Sequence, residues 1–199
     1  LIATLGMLTI VRSLVLIVSG DRSMSSFPKA FQWIGQGKIF SIPNPIWIFI
    51  IMVIIAEIVL RRMKIGRLPF FVGSNAQAAE LSGLRVKKIQ FILYALCGCA
   101  AGIAGVVSTA RLNAAFPLAG NGAELRIIAA AVIGGCSLSG GQGSIIGAFL
   151  GVVLMAMINN LLILTGVPVY YQGLVAGLVL IGAVGFDEYS KRRRGEIRS

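Results

Sequence analysis

Apolar residues fall in long blocks along this chain, and the breaks between blocks are marked by charge or by Gly and Pro. Six blocks stand out, at about 1–19, 46–60, 89–107, 127–138, 145–164 and 167–186. Crossing roughly 30 Å of hydrocarbon takes about 20 predominantly apolar residues in a helix. The second and fourth blocks fall short of that, so each must borrow from its flanks, tilt, or be a re-entrant piece buried against neighbours. The pattern predicts an all-α fold, a polytopic transmembrane helical bundle with about six membrane segments forming one domain over residues 1–199. Leu1 already stands inside an apolar run, with no basic segment or small-residue cleavage site ahead of it. The expectation is therefore the later part of a longer chain whose first helices lie upstream.

The connections differ in charge. Loop 61–88 carries Arg61, Arg62, Lys64, Arg67, Arg85, Lys87 and Lys88 against Glu80, and the tail 187–199 carries Lys191, Arg192, Arg193, Arg194 and Arg198. Loops 20–45 and 108–126 hold only Arg22, Lys29, Lys38, Arg111 and Arg126 among their basic residues. Lys and Arg collect on the cytoplasmic side of membrane proteins, so loop 61–88 and the C-terminus are expected inside and the other two loops outside. That alternation closes only if 127–138 crosses. Pro28, Pro43 and Pro45 with Trp33 and Trp47 mark an outer loop returning through an aromatic anchor. The stretch Thr165-Gly166-Val167-Pro168 predicts a hairpin between the last two helices, with Tyr170 and Tyr171 at interface depth.

Composition agrees with the blocks: 57% of the residues are hydrophobic and 13% charged, and mean hydropathy is +0.89. A net charge of +11 would point to nucleic acid in a soluble chain. Here it follows from basic cytoplasmic loops, so membrane lipid and not nucleic acid is the expected surroundings. Cys97, Cys99 and Cys136 sit among apolar residues without metal-like spacing and are expected as buried thiols. Glycines recur four apart at Gly98 and Gly102, at Gly143, Gly147 and Gly151, and at Gly173 and Gly177. That spacing lets helix backbones approach closely where lipid supplies no hydrophobic drive.

Several candidate chemistries fail on inspection. Leu138-Ser139-Gly140-Gly141-Gln142 spells LSGGQ, the signature of ATP-binding cassette ATPases. That chemistry needs a phosphate-cradling G-x-x-x-x-G-K-[ST] loop, and none is present. Gly140 and Gly141 are expected to form a packing turn. Ser139 has no histidine to serve as its base, because the chain contains none; the same lack removes histidine-based metal sites. No catalytic, cofactor or metal residues are expected. Polar residues inside apolar blocks say more. Arg12 would cost about 2.5–3.5 kcal/mol at a helix centre, so it should face protein or water; a place on a translocation pathway, a structural partnership and snorkelling near the boundary are all open. Adjacent helical residues point about 100° apart, so of Asn159 and Asn160 one can bond a neighbouring helix while the other faces a pathway. Glu57 stands four residues before Arg61, a spacing that suits an ion pair.

The cytoplasmic stretch Gly66–Lys88 is moderately apolar and well punctuated. Asn75 can cap a short helix through Leu81, and Gly83 can end it. Ala76, Ala78 and Ala79 give such a helix a low profile suited to lying against another surface. With Gly73-Ser74-Asn75, Ala78-Ala79 and Leu81-Ser82-Gly83, with Ala3-Thr4-Leu5-Gly6-Met7 and Ala110-Arg111-Leu112, and with Gly134-Gly135, Ser137-Leu138, Gly140-Gly141, Gly143, Ile158-Asn159-Asn160 and Tyr170-Tyr171-Gln172, the chain resembles the permease subunits of bacterial ATP-binding cassette importers of the ribose, xylose and autoinducer-2 type. The resemblance runs in order along essentially the whole chain. It implies a subunit of the inner membrane with about ten helices at full length, working as a homo- or heterodimer. Its implied partners are cytoplasmic ATPase subunits and a periplasmic substrate-binding protein. The family's coupling helix would fall on Asn75–Leu84, with Asn75, Ala78, Ala79, Leu81, Ser82 and Gly83 as contact residues. ATP would be hydrolysed by the partner, not by this chain. A branched-chain amino-acid permease of the same superfamily is the nearer rival. A secondary transporter or channel would more usually carry an acid in mid-membrane, and only Glu57, at a boundary, comes close. A purely structural membrane scaffold is the blandest alternative.

Overall fold

A computed structural model describes residues 2–138 and 140–168, and after them Tyr171, 173–175, 177–179, 181, 182 and 185. Helices dominate: α1 (Ile2–Ser19), α2 (Lys29–Gln36), α3 (Asn44–Arg62), α4 (Lys64–Ser74), α5 (Ala76–Leu81), α6 (Val86–Leu112), α7 (Ala123–Ile133) and α8 (Ile145–Leu164). Four two-residue strands, β1 (Met24–Ser25), β2 (Lys38–Ile39), β3 (Ile42–Pro43) and β4 (Ala114–Ala115), make two small antiparallel pairs. Part of the block at 167–186 lies outside the described residues, Tyr170 and Gln172 included, as do Ser139 and the tail 187–199.

Four helices, α1, α3, α6 and α8, are long and apolar enough to cross a membrane. At about 1.5 Å per residue, the 27 residues of α6 extend about 40 Å. Their ends reflect local chemistry. Pro45 sits in the first turn of α3, where its missing N–H costs nothing, and Arg61 and Arg62 occupy the last turn, complementing the carbonyl end of the dipole. Ser144 caps α8, its Oγ accepting the Gly147 N–H at 2.9 Å. Almost none of these four helices is covered by the rest of the chain, so their apolar surfaces are left for lipid or other protein.

The described structure falls into two compact units. The first combines the chain up to Ile51 with Ala95–Asn121. Here β1 pairs with β4, Met24 opposite Ala115, and the Phe27 N–H donates to Asn113 Oδ1 at 3.2 Å. Gln36 donates to the Arg111 carbonyl at 3.2 Å. Gly35 is buried so closely on the Ala110–Arg111 backbone that no Cβ could fit. Loops 20–45 and 108–126 are thus joined. The amphipathic α2 and the β2–β3 hairpin occupy what the sequence suggested only as an outer loop. Asn44 fixes their junction, its Nδ2 donating to the Trp33 carbonyl at 2.7 Å.

The second unit is Met52–Tyr94 with the chain from Gly122 onward. Its core is the α7–α8 pair, where Ala129, Ala130 and Met155 are buried and Ile133, Ile158 and Val179 pack around them. α7 ends in a Schellman turn: Gly135 takes φ +85°, its N–H reaches Val132 O at 2.9 Å, and the Cys136 N–H reaches Ala131 O at 2.9 Å. The helix therefore stops at Ile133, five residues before the end of the apolar block. Its 11 residues rise about 16 Å, half a bilayer, so 127–138 is not a full-length spanning helix. Apolar sequence ran past the helix because a Gly-Gly pair ends a helix whether or not the next residues are apolar.

Candidate functional site

The segment expected on the cytoplasmic side and predicted to dock a partner is built as a helix pair. The first member, α4, has no clear signal in the sequence, because Gly66, Arg67 and Pro69 interrupt its pattern. Pro69 lies inside it all the same, and Gly66 lets its start close onto the Val59–Leu60 backbone of α3 with no room for a Cβ. α5 then conforms closely to its caps. Asn75 Oδ1 accepts the Ala78 N–H at 2.9 Å. At the other end Gly83 takes φ +83°, its N–H bonding Glu80 O at 3.0 Å while the Leu84 N–H bonds Ala79 O at 3.1 Å. Both ends of α5 are thereby satisfied by the chain itself, which frees its surface for contact. Ser82 Oγ additionally donates to Ala78 O at 2.8 Å.

The orientation of α5 separates the residues expected at a partner contact. Ala79 is buried, at 6% exposure, and points into the chain, whereas Leu81 is 90% exposed. Ala79 seats the helix, and a partner would meet Ala76, Ala78, Leu81 and Ser82, all exposed. Six residues make fewer than two turns, too few for sequence periodicity to say which alanine faces inward.

Glycine contacts divide the packing residues. Gly147 lies on the Gly134 backbone and Gly151 on the Ala130 carbonyl, each too close for a Cβ. Gly143, just before the Ser144 cap, faces Cys136. Gly140 and Gly141 form the α7–α8 turn, closed by the Ser137 N–H to Gln142 O bond of 3.0 Å, and lie against Gly73 and Ser74 at the end of α4. By contrast, Gly98, Gly102, Gly173 and Gly177 meet nothing within 4 Å among the described residues. Cys97 and Cys99 are exposed and Cys136 is only partly covered, so the expected buried thiols are not found; no described helix covers the α6 face that carries the first two.

The polar residues of the membrane helices separate in the same way. Asn159 is half-buried, four residues past Met155 on the α8 stripe that faces α7, while Asn160 is exposed. Arg12 lies with Leu8 and Leu16 on the half-buried stripe of α1 and lines an open groove of about 510 Å³ with Thr4, Val15 and Pro117. Arg12 belongs to the first unit and the asparagines to the second. Arg61 Nε contacts Glu57 Oε1 as the spacing predicts, at the edge of a second groove of about 440 Å³ that Arg67 and Ser144 also line. Neither Glu57 carboxylate oxygen accepts a hydrogen bond of good geometry, although both are buried.

The family described as branched-chain amino acid transport system / permease component matches residues 1–184. The chain belongs to this permease family. The permease is accordingly an all-α, polytopic membrane protein. It is 40% identical over 190 residues to the ribose import permease protein of Escherichia coli (strain K12), covering 94% of this chain and 59% of that relative. It is 37% identical over 188 residues to the ribose import permease protein of Bacillus subtilis (strain 168), covering 94% and 58%. It is 38% identical over 195 residues to the L-arabinose ABC transporter permease protein of Azospirillum brasilense, covering 98% and 57%. The chain thus spans somewhat under three fifths of the length of these relatives. No solved structure matches it significantly.

Proposed function

We propose that this permease is the membrane-spanning subunit of an ATP-driven importer that carries a monosaccharide or a related small sugar or polyol into the bacterial cytoplasm. The observation that carries the proposal is the run of 37–40% identity, over 94% or more of the chain, to permeases named for ribose import and for an L-arabinose ABC transporter. The geometry of α5 supports the ATP-driven part. A short, doubly capped helix with an exposed Leu81 is suited to seat in a groove of a separate ATPase subunit, which performs the hydrolysis. A binding protein delivers sugar at the face formed by loops 20–45 and 108–126, and a second permease subunit completes the pathway. Asn159, Asn160 and Arg12 are candidate pathway residues. Amides suit sugar hydroxyls through modest, reversible hydrogen bonds, and a conducting path needs sites that also release. The cycle is alternating access: closure of the ATPase pair pushes on α5, and the membrane helices rock.

The joining of loops 20–45 and 108–126, and of the α7–α8 turn with the α4 end, supports the topology expected from charge, with loop 61–88 and the C-terminus inside. The family's own description favours a second reading, import of a branched-chain amino acid. The test is ATPase activity of the full assembled transporter in nanodiscs, with binding proteins loaded with ribose, arabinose or leucine. The proposal expects stimulation by a sugar-loaded binding protein; stimulation by the leucine-loaded protein alone supports the second reading.

A further inference from the structure

The end of α4, just before α5, meets the α7–α8 turn through backbone atoms and the Ser74 Cβ. A Cβ at Gly73, the penultimate residue of α4, would stand 2.6 Å from the Gly141 nitrogen. One at Gly140 would stand 2.8 Å from the Gly73 carbonyl oxygen, and one at Gly141 would stand 3.0 Å from the Ser74 Cα. All are closer than side-chain carbons normally approach. Gly73 has no positive φ; it is helical, and helix propensity favours alanine there by roughly 0.5–1 kcal/mol. Its backbone conformation gives no reason for glycine, so the close approach does. Two residues later Asn75 caps α5, and Ala79 buries α5 against the chain. On the far side, Gly134 against Gly147 and Ala130 against Gly151 close α7 onto α8, which carries Asn159 and Asn160.

We infer that Gly73 and the Gly140–Gly141 turn form a stiff backbone seam that passes movement of α5 directly to the α7–α8 pair, making Gly73 a positioning residue of the transport cycle. Side chains can absorb a displacement by changing rotamer, whereas peptide groups in van der Waals contact cannot, and close-packed interfaces transmit strain. A seam of backbone and the rotamer-independent Ser74 Cβ is an arrangement that loses little of a small push. The inference rests on the reading of α5 as the ATPase contact.

The test uses the full transporter, reconstituted with its ATPase and binding protein, carrying Gly73→Ala. Transport per folded molecule falls at least tenfold while basal ATP hydrolysis and ATPase association persist. Normal transport by a folded Gly73→Ala protein overturns the seam. A second arm, independent of how well that variant folds, replaces Ser74 with alanine, which keeps the backbone and the Cβ that lie against Gly141 and removes only the Oγ that donates to the Phe71 carbonyl at 3.0 Å. Ser74→Ala transports at the unsubstituted rate if the contact runs through backbone and Cβ; loss of transport by a folded, ATPase-associated Ser74→Ala protein contradicts it. A control keeps the two readings apart. Cross-linking from an Ala78→Cys variant to the ATPase reports the α5 contact, and its absence removes that reading whatever Gly73→Ala does.

Discussion

At the scale of single residues, the same letter does different work depending on what stands opposite it. Gly151 presses on the Ala130 carbonyl and Gly102 meets nothing within 4 Å, yet both belong to runs with four-residue spacing. Gly151→Ala must push α7 from α8, and overpacking of this kind costs about 1–3 kcal/mol. Thermal unfolding in detergent should show a lowered midpoint. Gly102→Ala removes a flexible residue from a helix interior and should leave that midpoint unchanged or raised. The asparagines divide likewise. Asn159→Leu alters the packed stripe and should lower membrane abundance. Asn160→Leu, on the exposed side, should lower sugar uptake with abundance near normal. Equal loss of abundance and uptake for Asn160→Leu would place it in helix packing instead.

At the scale of elements, α5 was legible and its neighbour was not. Capping is local chemistry: Asn75 and Gly83 mark both ends in the sequence, and the helix forms between them. α4 was hidden because Gly66 and Pro69 break its pattern; Gly66 is needed for contact with α3, a tertiary approach that no local window of sequence reveals. The early end of α7 could be read from Gly134-Gly135, but the apolar residues beyond it masked the signal. Which alanine of α5 faces inward is set by tertiary packing, which a six-residue helix does not announce. The inward position of Ala79 changes what substitutions do. Ala79→Trp should unseat α5 and lower the stability of the permease itself. Leu81→Asp, on the open face, should leave stability within about 0.5 kcal/mol and reduce co-purification of the ATPase several-fold. Loss of ATPase binding by neither variant would remove α5 from the interface.

At the scale of the whole molecule, the proposed topology rests on the charge of the loops and on contacts within each unit. Loops 20–45 and 108–126 are held together by the β1–β4 pair. The α7–α8 turn is held to the α4 end and so shares the side of the basic loop 61–88. The half-length of α7 matters less than where its turn sits. In a background lacking Cys97, Cys99 and Cys136, Asn121→Cys should label with an impermeant thiol reagent from outside. Ser82→Cys should label only after permeabilisation. The reverse pattern would invert the orientation proposed from charge. The most direct measurement of the central claim is uptake of radiolabelled ribose, arabinose and leucine into proteoliposomes containing the full transporter, its ATPase and a cognate binding protein. ATP-dependent accumulation of a pentose, abolished by omitting the binding protein, is the predicted result; accumulation of leucine with no sugar uptake, or pentose flux that continues without ATP, would contradict it.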